Sequence, residues 1–360
     1  MHRTIVLVLL IGFLAWAFQG VSVMYRTIIL LLLTGFLAWA FQAILPPPPN
    51  ICGTPGGPPI TATRIKLRDG RNLAYQEHGV PKEMAKYKVL FFPGFRNGRN
   101  DASVLTPEIT EELGVYLVSF DRPGYGESDP DPNRTLKSTV FDAEELADQL
   151  GLGSKFYVIG NSMGGQLVWA CLKYIPHRLA GATLIAPVVN YWLPGFPKNL
   201  AKEAYYEQLP QDRWAVGVAH YAPWLTYWWN TQKWFPPSSV LADTPKLSPQ
   251  DVKILSMVDL PKPNSTQQGE FESLHRDMMV GFGRWEFDPM DLTNPFPNNE
   301  GSVHLWHGDA DWIVPVTLQR YIAGRLPWIH YHEVADAGHA LPFIDGMREA
   351  IFKALLLGEK

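Results

Sequence analysis

Four short apolar runs, at residues 88–92, 115–120, 156–160 and 182–186, limit what this chain can fold into. Each is too continuous to be a strand with one wet face, so both faces of each strand must be covered. Amphipathic stretches at roughly 101–113, 138–150 and 163–175 lie between them. Strand and helix in alternation imply a parallel sheet with helices on both faces. Upstream, residues 64–67 and 72–76 flank Asp69-Gly70 and read as a β-hairpin. The alternation stops after Val189 and resumes at 302–306, followed by a helical stretch, a strand at 329–334 and a helix near 342–357. The predicted class is therefore α/β: a core at 63–189 and 301–360, with a helical cap inserted at 190–300. A chain of 360 residues is ample for such a core.

The segment FYVIGNSMGGQLVWACLKY carries the sharpest chemical signal. A strand runs into Gly160-Asn161-Ser162-Met163-Gly164 and a helix follows at once. A serine on so tight a turn needs small residues two before and two after it, because the backbone there is crowded. The turn also puts a helix N-terminus behind the serine, where developing negative charge is stabilised. G-x-S-x-G alone is short enough to arise by chance, but its strand–turn–helix setting and the extra Gly165 argue against chance. The serine then needs an acid and a histidine, in that chain order. The segment VHLWHGDADWIVP offers Asp309 and Asp311 directly after a strand, and HEVADAGHALPF offers His339 after the next strand. Both are strand C-terminal ends, where open α/β sheets hold their sites. Asp311 is preferred for its place in Gly308-x-x-Asp311-x-x-Val314-Pro315, and Asp309 is assigned to the turn. His304, His330 and His332 read as packed or surface strand residues. His307 precedes the acid, and His78, His177, His220 and His275 have no comparable context.

With these residues in place, the chain from residue 63 onward resembles the α/β-hydrolase superfamily, and within it plant proteins with an N-terminal hydrophobic anchor. FDRPGYGESDP (120–130), GNSMGG (160–165), HGDADWIVP (307–315) and DAGH (336–339) carry the likeness together. The resemblance implies the α/β-hydrolase fold, Ser162 as nucleophile, His339 as general base and then acid, and Asp311 orienting His339. It also implies an oxyanion hole made by the backbone N–H groups of Met163 and Phe95. A serine at the elbow argues against epoxide hydrolase or dehalogenase chemistry, which resembles the same scheme with an aspartate there. One departure stands out: Pro93-Gly94 replaces the His-Gly pair of most relatives after the strand VLFF. The Phe95 donor survives, but a side chain that would hold the loop is lost. A displaced or more mobile loop and weakened activity are expected.

The N-terminus says nearly the same thing twice, HRTIVLVLLIGFLAWAFQ at 2–19 and YRTIILLLLTGFLAWAFQ at 25–42. Residues 5–23 and 28–45 are uncharged and near the length that crosses a bilayer. Only four residues separate them, and Arg3 and Arg26 give both copies the same orientation, against a two-span hairpin. One membrane-targeting helix is expected, as a signal anchor or a signal peptide cleaved near Ala38-Trp39-Ala40, with Met24 as an alternative start. Residues 46–62, with seven prolines and three glycines, read as a linker. The absence of basic residues between Arg26 and Arg64, and sequons at Asn133 and Asn264, fit a lumenal domain in the secretory pathway.

A net charge of −4 with no basic block gives no sign of a nucleic-acid partner. Cys52 and Cys171, the only cysteines, exclude a cysteine-built zinc site and give no disulfide framework. No cofactor is expected. Trp224, Trp228 and Trp229 belong to a tryptophan-rich cap and could line an apolar acyl pocket, although cap packing is the commoner use of such residues. The expected function is hydrolysis of a small-molecule carboxylic ester with an apolar acyl group, in a membrane-associated protein. The alternative is a ligand-binding protein on the same fold with little or no activity.

Overall fold

A computed structural model describes residues 23–258 and 264–359. It divides into two units, residues 1–46 and 47–360. In the first, α1 (Val23–Ile44) is a helix of 22 residues, about 33 Å long. Its stretch Thr27–Ile44 is long and apolar enough to cross a membrane, as an anchor or a signal sequence would be. The first copy of the doubled run, with Met1, lies outside the described residues.

The second unit begins its sheet with the hairpin β1 (Thr63–Lys66) and β2 (Asn72–Gly79), turned at Asp69-Gly70. Then follow β3 (Tyr87–Phe92), α2 (Pro107–Leu113), β4 (Val115–Phe120), α3 (Leu136–Gln149), β5 (Phe156–Asn161), α4 (Gly164–Tyr174) and β6 (Leu179–Ile185). The chain resumes the sheet with β7 (Val303–Gly308) and β8 (Ile329–Val334). The eight strands are ordered β1-β2-β4-β3-β5-β6-β7-β8, with every pair from β4 to β8 parallel and only β1/β2 and β2/β4 antiparallel. This is the α/β-hydrolase fold that the sequence implied.

The continuity of the apolar runs has its cause in where alternate residues go. Leu90 and Phe92 of β3, with Val118 and Phe120 of β4, join one core with α3 and α4. Val89 and Phe91, with Val115 and Leu117, join a second core on the opposite face with Ile351 and Phe352 near the C-terminus. A strand that feeds two cores has little room for polar residues, and Ser119 of β4 and Thr183 of β6 are buried exceptions. Each such side chain, fully buried, stabilises the fold by roughly 1.5–3 kcal/mol.

Between Ile185 and Val303 no strand occurs among the described residues. The segment holds α5 (Lys198–Glu207), α6 (Pro210–Tyr221), α7 (Thr226–Thr231), α8 (Pro249–Leu255) and α9 (Arg276–Phe282), the last entered through a π-helical turn, Phe271–His275. Beyond it, α10 (Val316–Arg325) and α11 (Met347–Leu357) cover the two faces of the sheet. The Pro/Gly-rich stretch read as a linker is docked where the core offers it acceptors. Glu127 accepts the Thr61 and Ala62 N–H groups at 2.7 and 2.9 Å, and Gln268 accepts the Asn50 and Cys52 N–H groups at 2.9 and 3.0 Å. Cys52 is buried and unpaired, as is Cys171.

Three strand histidines form a cluster across β7 and β8. His304 Nδ1 lies 2.9 Å from His332 Nε2, His304 stacks on His330, and His332 stacks on Trp306 at 3.8 Å. Burial and the neighbouring imidazoles push His304 down to about 3 and His332 down to about 4. An unfolded chain protonates these rings near pH ~6.5. Their stabilising contribution is thus complete above that pH and is lost as pH falls through 6.5 toward the folded values. The melting temperature should fall between pH 7 and 4, and less so in His304→Phe, which has no imidazole to protonate; thermal melts across that range check it.

Candidate active site

Ser162 stands immediately past β5 with φ +53°, a left-handed conformation that costs a non-glycine residue roughly 1–2 kcal/mol. Its surroundings hold it there. Its N–H donates to the Ile185 carbonyl at 2.8 Å, and its carbonyl accepts from Gly165 and Val188, both at 3.0 Å. The flanking glycines are required by space. A Cβ at Gly160 would lie 2.5 Å from the Gly164 carbonyl oxygen, one at Gly165 would lie 2.5 Å from Pro187 Cβ, and one at Gly164 would overlap the Phe92 carbonyl.

The loops after β7 and β8 bring the other two predicted residues to it. The Ser162 hydroxyl is 3.0 Å from His339 Nε2, and His339 Nδ1–H donates to Asp311 Oδ2 at 2.7 Å. The second Asp311 oxygen accepts the Ile313 and Val314 N–H groups, each at 2.9 Å. That pair of bonds explains the Asp-x-x-Val-Pro spacing: the chain folds back over its own carboxylate. Burial alone would raise the Asp311 carboxyl, but His339 outweighs it and holds it below the usual range. Burial likewise works against protonated His339, and the Asp311 carboxylate, with a further contribution from Asp251, holds its imidazole above the ordinary value. Asp309 is exposed and outside this chain of bonds.

His307 is nearer than its sequence position implied, fully buried with Nε2 3.5 Å from Asp311 Oδ2. Its Nε2 is 2.8 Å from the Val314 carbonyl, which can only accept, so Nε2 carries the proton. Burial holds this imidazole below its ordinary value and therefore neutral.

The loop carrying Phe95 passes against Ser162: a Cβ at Gly94 would lie 3.4 Å from Ser162 Cβ. Arg122 holds this loop, its Nη1 donating to the Pro93 carbonyl at 2.6 Å and its Nη2 to that of Gly94 at 3.1 Å. Arg122 is in turn held by Asp277 of α9, whose carboxylate also accepts from the Tyr125 hydroxyl at 2.7 Å and Arg134 at 2.6 Å. The two guanidinium groups outweigh burial and keep the Asp277 carboxyl ionised, below the usual range. Arg122, Tyr125 and Arg134 lie in or beside the FDRPGYGESDP segment, so that motif supports the loop beside the serine. Asp277 carried no signal in the sequence: it sits in an ordinary amphipathic stretch and meets its partners only through the fold.

The cap closes over this constellation. Ser162 and Met163 are each 9% exposed. Phe95 and Val188 pack against an apolar cluster of Ala215, Val216, Ala219, Met278 and Phe282, joined by Trp229. Trp224 is 55% exposed and does not line this cluster, whereas Trp228 and Trp229 are half-buried. A separate hollow beside the cap, between Arg134, Tyr174, Arg276 and Trp285, does not include Ser162. Among the described residues no group of His, Cys, Asp and Glu side chains could hold a metal ion.

A model of the family described as "Alpha/beta hydrolase family" matches residues 89–354. Lipase 1 of Psychrobacter immobilis is 27% identical over 138 residues, 38% of this chain and 41% of that lipase, so the match spans less than half of the relative. Among solved structures, an esterase from Thermogutta terrifontis superposes with a TM-score of 0.53 at 20% identity, covering 82% of this chain and 97% of the esterase. Rv0554 from Mycobacterium tuberculosis gives 0.55 at 17% identity, covering 83% and 100%. A structure described under novel epoxide hydrolases from hot-environment metagenomes gives 0.51 at 16% identity, covering 83% and 99%. At these identities the superpositions speak to the fold.

Proposed function

This chain belongs to the α/β hydrolase family, and from that premise we propose that it is a serine hydrolase cleaving a carboxylic ester with an apolar acyl group. The observation that carries the reading is the unbroken series Ser162 Oγ, His339 and Asp311, at 3.0 and 2.7 Å. In this reading Ser162 Oγ attacks the ester carbonyl while His339 Nε2 takes its proton. The Met163 and Phe95 N–H groups receive the oxyanion, His339 returns the proton to the departing alcohol, and Asp311 stabilises the imidazolium between these events. Water, deprotonated by His339, then releases the acid and restores Ser162.

The apolar cluster that Phe95 and Val188 join with Met278 and Phe282 supports an apolar acyl group, because Val188, bonded to the Ser162 carbonyl, brings it close to the serine. A serine rather than an aspartate at the elbow supports ester over epoxide chemistry. The helix Thr27–Ile44 supports membrane attachment, and exposed Asn133 and Asn264 are compatible with a lumenal domain.

Pro93 favours a second reading, a ligand-binding protein with little turnover, because it removes the side chain that relatives use to hold the loop. The Arg122 bonds to Pro93 and Gly94 weigh against it. Turnover of p-nitrophenyl esters of graded acyl length separates the two. We expect hydrolysis that rises with chain length and a gain in Pro93→His of less than tenfold. No turnover by either form at any length would favour binding.

A further inference from the structure

The cap contributes a second carboxylate to the immediate surroundings of His339. Asp251, at the start of α8, is fully buried. Its Oδ1 accepts the Ala340 N–H at 2.8 Å, and its Oδ2 accepts the His339 N–H at 3.1 Å and the Ser248 N–H at 3.3 Å. A Cβ at Gly338 would overlap this carboxylate, so the glycine before His339 is required by Asp251. Among the described residues no lysine or arginine pairs with Asp251. A buried ionised group without a cation is costly unless hydrogen bonds compensate it, and here backbone N–H groups of the histidine loop do so.

We infer that Asp251 is a positioning residue for His339: by gripping two successive N–H groups it fixes the loop that aims the imidazole at Ser162. This rests on the reading of His339 as the proton carrier given above. The charge has a second consequence. The titratable groups facing His339 are Asp311 from the loop after β7, Asp251 from α8 and His307 from β7. His307 is neutral, so the two carboxylates act together in favour of the imidazolium that forms during turnover. The cap is then part of the catalytic apparatus, since lifting α8 would take this acceptor away from the histidine loop.

Asp251→Asn tests this, because it keeps the shape, removes the charge and turns one acceptor into a donor facing an N–H. The His339 imidazole pKa, read by NMR with His339→Asn as the assignment blank, should fall by roughly 0.5–1 unit. The acid limb of kcat/KM should move with it, and kcat should fall about tenfold to a hundredfold with KM little changed. Ser248→Ala controls for structure: it removes the cap bond to the Asp251 N–H but leaves the carboxylate, and should lower the melting temperature without moving the imidazole pKa. If Asp251→Asn does not fold, Asp251→Ser, uncharged with one acceptor, is read in the same way. An imidazole pKa equal to wild type in the folded variant overturns the inference. The NMR titration needs no turnover, so a shifted pKa in a protein inert toward every ester upholds Asp251 while the hydrolase reading fails.

Discussion

Ser162→Ala and His339→Ala should each lower kcat by on the order of 10⁶-fold, with the double variant no worse than either single one. The reason is the chain of bonds from Ser162 Oγ through His339 to Asp311, in which each member works only through the next. Without the hydroxyl there is no nucleophile, and without the imidazole the hydroxyl keeps its proton. Ser162→Ala should leave stability close to that of the wild type, because the backbone bonds of residue 162 to Ile185, Gly165 and Val188 remain and the left-handed backbone is a cost that either residue bears. Steady-state rates with the best substrate of the acyl series, together with thermal melts, separate lost chemistry from lost fold. Additive losses in the double variant would mean that the two residues do not act as a unit.

Asp277→Ala should be the most damaging change outside the three reacting residues, costing about 3–5 kcal/mol of stability. Its carboxylate is the partner of Arg122 and Arg134, whose side chains are 4% and 1% exposed, and alanine would leave both cations buried without it. The damage should reach chemistry, because Arg122 carries the Pro93 and Gly94 carbonyls. If the Phe95 N–H, the proposed oxyanion donor, moved out of line, its loss would cost roughly a further 3 kcal/mol in the barrier, a hundredfold or more in rate. Asp277→Asn keeps the shape and some of the acceptors and should be milder in both respects. Denaturant unfolding and kcat are the measurements. A variant as stable and as active as the wild type would show that the network is not what holds the loop.

These two cases mark how far the sequence could be read. The sheet was legible because residues such as Val89, Leu90, Phe91 and Phe92 must serve two cores, which leaves an uninterrupted apolar run as its trace. Ser162 and Asp311 stood out because each sits just past a strand among residues whose spacing is dictated locally, by crowding at Gly160 and Gly164 or by the Asp311 carboxylate capping Ile313 and Val314, and His339 stood out by its chain order, in the loop after the next strand. Asp251 and Asp277 were not legible. Each belongs to a short cap helix, and its partner lies 88 or 155 residues away. Asp251 even has a local explanation, the capping box with Ser248, which hides its second use. The loop at Pro93 shows the same limit. The absent histidine was visible at once, whereas the arginine that bonds the loop's carbonyls comes from the next strand's loop and is itself held by a cap residue.

The central claim is that Ser162 is an activated nucleophile, and covalent labelling tests it most directly. A fluorophosphonate probe, which reacts with a serine only when a base has readied it, should label the folded wild type at Ser162 and leave Ser162→Ala unlabelled. Equal labelling of both proteins, or none of the wild type, would contradict the account.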